Sequence, residues 1–538
     1  MAAGGEVRVF TRQATGLTKE IGRTDTFVYN VNNQNIGIGV AFILLFVPGF
    51  YAGADLFQSM VIAALLAIPM ALVYAFFSAA IPRSGGDYVY ISRTLHPLLG
   101  FVASWNWVAW MTVYIGVPAA YLAQYGLSGL FRMTGVAAGS QGLIELGNAF
   151  VNPDVTLVVG TILIVLFAII FATGTRVYFR LQNTVFVIGI IGILAAIVLA
   201  FLASPGAFAG NFDAYVAAAG GIQNASSLAQ PAAPYDSLQT IYSSTWPQFI
   251  VLFAITSSFL GGEVRQARVS QMLGMPGGVV FVTVFMFILV GAVVNLVGLP
   301  LLGAISANYF SPDALGLSFV PAFNEVVAAA FPGNLLVALV LGFTFVFWTY
   351  VWLPINFLAS TRALLAWSLD GLMPARVSEV NETRHTPTAA IVIVAILGWL
   401  SLFLYTRGVI NTLYGIFGWI LSFVLCSIAA IVFPYRLKAV FDSSPVNWRV
   451  AGIPLMSIVG VVATVCLLIV EWIWWADPIN GLEHTPDVLT TFVLGPYGMW
   501  IVTAGVLITG VLWYLGARAI QASRGVRIER AFAEIPPE

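Results

Sequence analysis

The first apolar segment of the chain contains a run of amide side chains: residues 29–40 read YNVNNQNIGIGV, and residues 41–51 continue as AFILLFVPGFY. Glycine costs about 1 kcal/mol relative to alanine inside a helix, and an amide buried in hydrocarbon without a partner costs several kcal/mol more. Two explanations are open. Either the helix is interrupted here, so that backbone groups face a ligand, or the glycines are close contacts between helices and the amides tie helices together.

The composition of the 538 residues shows what surrounds this stretch. Hydrophobic residues make up 60% of the chain and charged residues 8%, whereas soluble domains carry about 25% charged residues. The apolar runs are about 20 residues or longer, enough to cross a bilayer core of roughly 30 Å as helices. Because lipid offers no hydrogen bonds to the backbone, helices are the expected spanning elements. We therefore predict an all-α membrane protein.

Polar residues and Gly/Pro breaks divide the apolar sequence into twelve candidate transmembrane spans. They lie near 25–52, 57–81, 99–125, 155–174, 182–203, 240–265, 277–300, 333–358, 387–405, 410–433, 454–475 and 490–516. When Lys and Arg are assigned to alternate sides of these spans, twenty of the 22 fall on one side, and only Arg132 and Arg407 on the other. The positive-inside rule places the rich side, with both termini, in the cytoplasm. The sequence thus predicts a multi-pass protein of the plasma membrane.

The sixth candidate span is interrupted as well. Residues 245–270 read TWPQFIVLFAITSSFLGGEVRQARVS, in which Pro247 and a Thr-Ser-Ser and Gly-Gly cluster break an apolar run. In transporters built from inverted repeats, discontinuous helices occupy corresponding positions of the two halves and meet near the bilayer midplane. If the repeat has five spans, spans one and six correspond, and both are interrupted here.

Two longer motifs lie in the loops after spans two and eight. Residues 81–108 read IPRSGGDYVYISRTLHPLLGFVASWNWV, and residues 360–390 read STRALLAWSLDGLMPARVSEVNETRHTPTAA. They resemble the P-x-x-G-G-x-Y-x-Y…G-F and R-x-x-x-A-x-x-x-D-G-x-x-P signatures of the amino acid–polyamine–organocation superfamily. The matching residues are Pro82, Gly85, Gly86, Tyr88, Tyr90, Gly100, Phe101, Arg362, Ala366, Asp370, Gly371, Pro374, Thr386 and Pro387. The sequence GIGV at 37–40 resembles the helix break of the same superfamily.

This resemblance implies a LeuT-like five-plus-five inverted repeat followed by two C-terminal helices. It divides the chain into a cytoplasmic segment 1–24, a first repeat 25–203, an extracellular loop 204–239, a second repeat 240–433, two further spans within 454–516 and a cytoplasmic tail 517–538. The implied activity is alternating-access transport of amino acids or related amines. Loop 204–239 contains no Lys or Arg, and its sequence leaves open whether it is helical or a flexible lid.

The resemblance also implies where a substrate binds. Backbone amides at the break in span one would hold its carboxylate, and carbonyls at the breaks in spans one and six its ammonium. Aligned on residues 262–265, the chain departs from the superfamily in span six, where the usual F-x-Y-x-G-F-E/D run is absent. The candidate substrate-binding residues are Asn35, Ile36, Gly37, Ile38 and Gly39 in span one, Phe253, Ala254, Ile255, Thr256 and Ser257 in span six, Met111, Tyr114 and Ile115 in span three, and Trp352 and Asn356 in span eight.

Charge near the midplane selects among substrates. Spans one, two, three, five, six and eight carry no ionisable side chain there, and a polyamine would want a carboxylate. The sequence therefore favours secondary active transport of a small neutral or zwitterionic amino acid. An amine, a nucleobase or a cation–chloride cargo, and a sensor that moves no solute, are the alternatives. An enzyme is disfavoured, because the two cysteines lie in different spans and the three histidines in loops.

The coupling ion is open between Na⁺, H⁺ and exchange without an ion. Some proton-coupled relatives carry a lysine in span five, but the lysines here, Lys19 and Lys438, lie in cytoplasmic segments. Sodium-coupled relatives use carbonyls of span one and hydroxyls of span eight, and hard cations prefer such oxygen ligands. That resemblance implies a candidate Na⁺ site formed by Asn33, Ile36, Ser360 and Thr361. No other cofactor and no nucleic-acid partner is expected, and the protein is expected to be a monomer or homodimer.

Overall fold

A computed structural model describes residues 17–309, 312–317, 320–381, 383–410, 414–479, 498–533 and 535. The fold is helical. Within the described residues, β structure is limited to the two-residue strands β1 (Arg449–Val450) and β2 (Ile453–Pro454), which pair antiparallel, and to two isolated bridges.

The first half of the chain contains ten α-helices and one π-helical segment at Leu122–Leu127. The helices are α1 (Arg23–Gln34), α2 (Ile36–Phe50), α3 (Leu56–Ala80), α4 (Asp87–Thr94), α5 (Pro97–Tyr121), α6 (Ser128–Ala138), α7 (Gln141–Ala149), α8 (Pro153–Thr173), α9 (Thr175–Leu202) and α10 (Pro205–Ala218).

The second half contains thirteen described α-helices. They are α11 (Ser237–Ser243), α12 (Thr245–Val251), α13 (Ala267–Gly274), α14 (Pro276–Val297), α15 (Leu299–Ala307), α16 (Phe323–Ala329), α17 (Leu335–Tyr350), α18 (Trp352–Leu369), α19 (Thr388–Thr406), α20 (Tyr414–Arg436), α21 (Lys438–Ser443), α22 (Leu455–Ala476) and α23 (Gly498–Ser523). Short 3₁₀ turns lie at Ala225–Leu228, Thr256–Phe259, Gly261–Glu263, Pro312–Leu315, Ala375–Ser378 and Ile528–Ala533.

Eleven helical segments of the described residues are long and apolar enough to cross a membrane. Each of the eleven corresponds to one predicted span. The predicted sixth span, 240–265, has no counterpart among them. That region contains no long helix, because the seven-residue α12 is followed by turns as far as Gln266. Counting by helix length therefore gives eleven spans rather than twelve. Residues 490–497 of the predicted twelfth span and residues 1–16 of the N-terminal segment lie outside the described part.

Several helices extend beyond the predicted span boundaries. The helical segment of the third span runs from Pro97 through α6 to Ala138, well past residue 125, and that of the fifth begins at Thr175, ahead of residue 182. A helix can continue past the hydrocarbon because its backbone hydrogen bonds are internal. The predicted loop 204–239 contains α10 and the start of α11, which decides in favour of partly helical structure.

Burial separates the central helices from the peripheral ones. In the first span 83% of the most apolar stretch is buried, against 17% in the last. Large apolar side chains face outward on the peripheral helices, for example Ile162 on α8 and Leu202 on α9. Apolar surface on this scale belongs against lipid. The two interrupted spans are therefore at the centre of the bundle, surrounded by protein.

Three buried ion pairs join the ends of the helices in the described part of the chain. Their nitrogen–oxygen distances are 2.7 Å for Arg93–Asp370, 2.8 Å for Arg132–Glu325 and 2.7 Å for Arg362–Glu263. Arg132 lies on α6 and Glu325 on α16. The Glu325 carboxylate also accepts a 2.9 Å hydrogen bond from the Tyr215 hydroxyl of α10. Removing one partner of a buried pair leaves an uncompensated charge, which is strongly destabilising.

Replacing Arg132 by methionine is expected to lower the free energy of unfolding by about 3–5 kcal/mol, because Glu325 would stay buried without its cation. The effect is measured as a lower midpoint of thermal unfolding of the purified protein in detergent. The matched control is Arg407→Met. Arg407 pairs with Asp154 at 2.8 Å, but both side chains are exposed, so the expected loss is below about 1 kcal/mol. Equal midpoints for the two variants would contradict this prediction.

Candidate functional site

The first span is interrupted at Asn35, which separates α1 from α2. Asn35 has φ +55° and ψ +75°, a left-handed conformation that asparagine tolerates better than most residues. Its side chain holds the break in place: Oδ1 accepts a 3.1 Å hydrogen bond from the Ile38 N–H, and Nδ2 donates to the Trp348 carbonyl at 2.9 Å. The chain thus leaves the helix one residue before Ile36, not at the glycines.

The two glycines of the GIGV sequence lie inside α2 and are contact points. A Cβ added to Gly37 would overlap the Trp348 side chain, and one added to Gly39 would overlap Ile250 of α12. The packing explanation therefore describes the glycines, while the interruption explanation describes Asn35. Both features stand in the same stretch of chain.

The interruption in span six is longer than predicted. Helix α12 ends at Val251, and turns with two short 3₁₀ segments occupy residues 252–266 before α13 begins. The five predicted residues, 253–257, form the first part of this segment and are all buried. The carboxyl end of α12 and the amino end of α2 lie beside each other, as the contact between Gly39 and Ile250 shows.

Amides of α1 supply hydrogen bonds to the irregular backbone of span six. Asn30 Nδ2 donates to Ser257 Oγ at 2.8 Å, and the Ser257 N–H donates back to Asn30 Oδ1 at 3.0 Å. Asn33 Nδ2 donates to the Phe253 carbonyl at 3.0 Å and also to Thr256 Oγ1. Sequence reasoning missed Asn30; the excess of amides in residues 29–40 was the signal that could have found it.

Four residues were predicted as a Na⁺ site, and oxygens of two of them are engaged in hydrogen bonds. The Asn33 carbonyl accepts a 2.6 Å hydrogen bond from Trp352 Nε1. Thr361 Oγ1 accepts from Arg362 Nη1 at 3.2 Å and donates to the Leu358 carbonyl at 2.7 Å. Ser360 Oγ is buried with no hydrogen-bond partner in the described residues. The Arg362 guanidinium beside Thr361 is itself paired with the Glu263 carboxylate.

Five aromatic rings pack together where the two interruptions meet, and we name them the central aromatic cluster: Tyr114, Phe249, Phe253, Trp352 and Trp419. Their neighbouring centroids are 4.6 Å (Phe253–Trp419) to 6.0 Å (Phe249–Phe253) apart. Three members were predicted site residues. Phe249 and Trp419 were missed, because no motif marks them and only the tertiary structure brings them in.

The other predicted residues are placed differently. Met111 is buried on α5. Ile115 was predicted to face the cavity, but its side chain packs against Gly398 of α19, where a Cβ would overlap it. Asn356 lies one turn after Trp352 and donates to the Trp352 carbonyl at 2.8 Å. Its amide is thus used within its own helix.

Contacts close the site toward both ends of the bundle. Toward the carboxyl end of α2, the rings of Phe46 and Trp246 stack with centroids 4.0 Å apart. Toward the amino end of α1, the Ile21 N–H donates to the Glu263 carbonyl at 3.0 Å, and the Gly85 N–H donates to the Phe259 carbonyl at 3.0 Å. We call the contacts that Ile21 and Gly85 make with residues 259–265 the inner gate, after the cytoplasmic side that the sequence predicts for the amino terminus.

The arrangement can bind a group with separated opposite charges. The N–H groups of Ile36 and Gly37 precede the first hydrogen bond of α2, which Gly39 makes to the Asn35 carbonyl at 2.8 Å. A helix amino end carries partial positive charge and attracts a carboxylate, whereas the carboxyl ends of α1 and α12 carry partial negative charge and attract a cation. The central aromatic cluster adjoins these ends and suits an apolar group.

Replacing Asn30 by alanine is expected to destabilise the protein by about 1–3 kcal/mol, because the buried Ser257 N–H loses its acceptor and the Ser257 hydroxyl keeps only its bond to Gln271. Thermal unfolding in detergent measures this. The control is Asn32→Ala on the same helix, since Asn32 Oδ1 has no hydrogen-bond partner in the described residues. A midpoint for Asn30→Ala that matches that of Asn32→Ala would show that the Asn30–Ser257 hydrogen bonds add no stability.

Comparison with known proteins gives the affiliation of the chain. The family model for amino acid permeases matches residues 26–506. A branched-chain amino acid permease, BcaP, of Bacillus subtilis is 24% identical over 478 residues, covering 87% of this chain and 90% of the relative. A methylthioribose transporter of the same organism is 25% identical over 452 residues, covering 82% and 85%. A BcaP of Lactococcus lactis is 24% identical over 359 residues, covering 64% and 68%. The chain belongs to the amino acid permease family.

Proposed function

We propose that this protein is a secondary active transporter that moves a neutral amino acid with an apolar side chain across the plasma membrane by alternating access. The observation that carries the proposal is the meeting of the two interruptions. The amino end of α2, the carboxyl end of α12 and the central aromatic cluster lie against one another at one buried position of the bundle.

The chemistry of that position supports a zwitterion. The substrate carboxylate would bind the Ile36 and Gly37 N–H groups, and the ammonium would bind carbonyls at the ends of α1 and α12. The apolar side chain would lie among the rings of the cluster, none of which is ionised at neutral pH. The five residues of the cluster are all aromatic and offer no carboxylate to a cation such as a polyamine. This supports a neutral substrate over an amine.

An uncharged solute is the second candidate. One relative is named a methylthioribose transporter, and a thioether next to aromatic rings is a favourable contact. The helix ends would then hold hydroxyl groups instead of a carboxylate and an ammonium. Competition separates the two candidates, because only an amino acid needs both a free carboxylate and a free ammonium.

The topology within this proposal has twelve spans, with α12 and the turns after it as the sixth, in a five-plus-five inverted repeat followed by two helices. The distribution of Lys and Arg supports this count and cytoplasmic termini. The coupling ion stays open between Na⁺, H⁺ and exchange without an ion, because the Arg362 guanidinium next to Thr361 is neutralised by Glu263. Sodium dependence of transport would favour a sodium site that includes Ser360.

Purified protein in proteoliposomes is expected to show saturable counterflow of radiolabelled L-leucine. Excess unlabelled L-isoleucine and L-valine should compete, whereas leucinamide and leucinol, which lack the carboxylate, should not. Absence of counterflow with each of the twenty amino acids would refute the proposal. Competition by methylthioribose, with none by amino acids, would favour the second candidate.

The central aromatic cluster is expected to set the permitted size of the substrate side chain. Phe253→Ala removes a ring that contacts Trp107, Phe249, Trp419 and Phe423. The expected result is that the ratio of the inhibition constants of L-leucine and L-phenylalanine shifts at least about tenfold toward L-phenylalanine, or about 1.4 kcal/mol. The control is Phe201→Ala on the outward face of α9, where the side chain is 58% exposed. An unchanged ratio in Phe253→Ala would place the substrate elsewhere.

A further inference from the structure

Among the described residues, the buried carboxyl group of Asp87 has no cationic partner. It is the first residue of α4 and has 0% exposure. Its Oδ2 accepts a long hydrogen bond of 3.5 Å from the Tyr74 hydroxyl, and its Oδ1 has no partner in the described residues. The contrast with two other buried carboxyl groups is clear, because Glu263 pairs with Arg362 and Asp370 pairs with Arg93.

In the described part of the chain, the side chains around Asp87 carry no positive charge. The titratable groups that face it are Tyr74 of α3, Tyr90 of its own helix and Cys426 of α20. From α5 it is met by the indole of Trp107. Burial raises the pKa of the Asp87 carboxyl to about 8, although the Tyr88 N–H, the Tyr74 hydroxyl and the Trp107 indole N–H hold it down in part. The group is therefore protonated in this conformation at neutral pH.

Asp87 lies directly behind the inner gate. The preceding residue, Gly86, has φ +58°, and a Cβ there would stand 3.1 Å from the Phe259 ring. The Gly85 N–H makes the gate hydrogen bond to the Phe259 carbonyl. Trp107 packs on Phe259 at 5.4 Å and on Phe253 of the central aromatic cluster at 6.3 Å. One indole thus connects the surroundings of Asp87 with both the gate and the site.

We propose that Asp87 is the proton-binding residue of the inner gate. Its carboxyl group carries a proton while Gly85 and Phe259 are in contact, and the O–H bond breaks to give the proton to cytoplasmic water when α4 and span six separate. Before the gate can close again, the carboxylate takes a proton back from cytoplasmic water, so the return step of the transport cycle slows as the cytoplasmic pH rises. This inference rests on the proposed function and adds a residue that makes the inner gate sensitive to pH.

The physical reason is hydration. An ionised carboxylate without a cation is poorly tolerated in a dry site, so closure of the gate requires the neutral form. Opening brings water to the group, and its pKa returns toward the ordinary value near 4. At a cytoplasmic pH above 7 the proton then leaves. The carboxylate disfavours closure until it is protonated again.

The transport test uses the full chain in proteoliposomes and measures counterflow of radiolabelled L-leucine with equal pH on both sides, from pH 6.0 to pH 8.5. Wild-type counterflow is expected to slow at least about tenfold over this range, because reprotonation of Asp87 limits closure of the inner gate. Asp87→Asn, which mimics the protonated carboxyl, is expected to lose this pH dependence and keep counterflow at pH 6.0 within about twofold of wild type. The matched control is Asp442→Asn on α21, where the carboxylate is exposed, and it should keep the pH dependence of wild type.

A pH dependence of counterflow in Asp87→Asn that equals that of wild type would overturn the inference and leave the proposed function standing. Absence of counterflow in the wild type would instead refute the proposed function. In that case the pH dependence of thermal unfolding, which does not require transport, tests whether Asp87 binds a proton. Because its folded pKa is raised, its contribution to stability is full below about pH 4 and is lost as pH rises toward 8.

The melting temperature of wild-type protein in detergent should therefore fall between pH 6 and pH 8.5 more steeply than that of Asp87→Asn. Tyr74→Phe serves as a second variant if Asp87→Asn does not fold. Removing the Tyr74 hydroxyl, which donates to Asp87 Oδ2, should raise the pKa of Asp87 further. The midpoint of the decline in melting temperature should therefore lie at a higher pH in Tyr74→Phe than in wild type. Identical pH dependence in wild type and both variants would show that Asp87 does not bind a proton in the closed gate, and the inference would fail.

Discussion

The structure depends on the hydrogen bonds between the amides of α1 and the irregular backbone of span six. Opening a helix in the middle of a membrane leaves peptide groups that lipid cannot satisfy. Asn30 and Asn33 satisfy several of them, through the Ser257 N–H and hydroxyl and the Phe253 carbonyl. One interrupted span therefore stabilises the other. This explains why the most polar twelve residues of the membrane region lie in a helix with almost no exposed surface.

The residues of the stretch 30–39 have different structural roles. Asn35 makes the interruption, Gly37 and Gly39 let two neighbouring helices approach, and the amides before them hold span six. Each role requires a different property: tolerance of a left-handed backbone, absence of a side chain, and a donor and acceptor on one group. Buried amides are costly in hydrocarbon unless they are paired, and glycine is a poor helix former, so their presence together points to a site.

Sequence reasoning predicted the features that depend on composition and local pattern. These include the helical membrane class, the family, eleven of the long apolar helices, and interruptions near Asn35 and Phe253. It failed where contacts between distant segments decide. Nothing local shows that Ile115 faces Gly398, or that Trp419 comes from span ten to Phe253. The length of the second interruption was also missed, because it is held by Ile21 and Gly85, which lie far away in the sequence.

The separation of the amides from their partners also bears on biosynthesis. The hydrogen-bond partner of Asn30 lies 227 positions later in the chain, and that of Asn33 lies 220 positions later. At about 5–20 residues per second, that is a delay of roughly 10–45 s. During this time the newly made first helix holds unsatisfied amides and cannot rest stably in lipid. The nascent chain must therefore keep it at the translocation machinery or near the headgroups until its distant partner emerges from the ribosome.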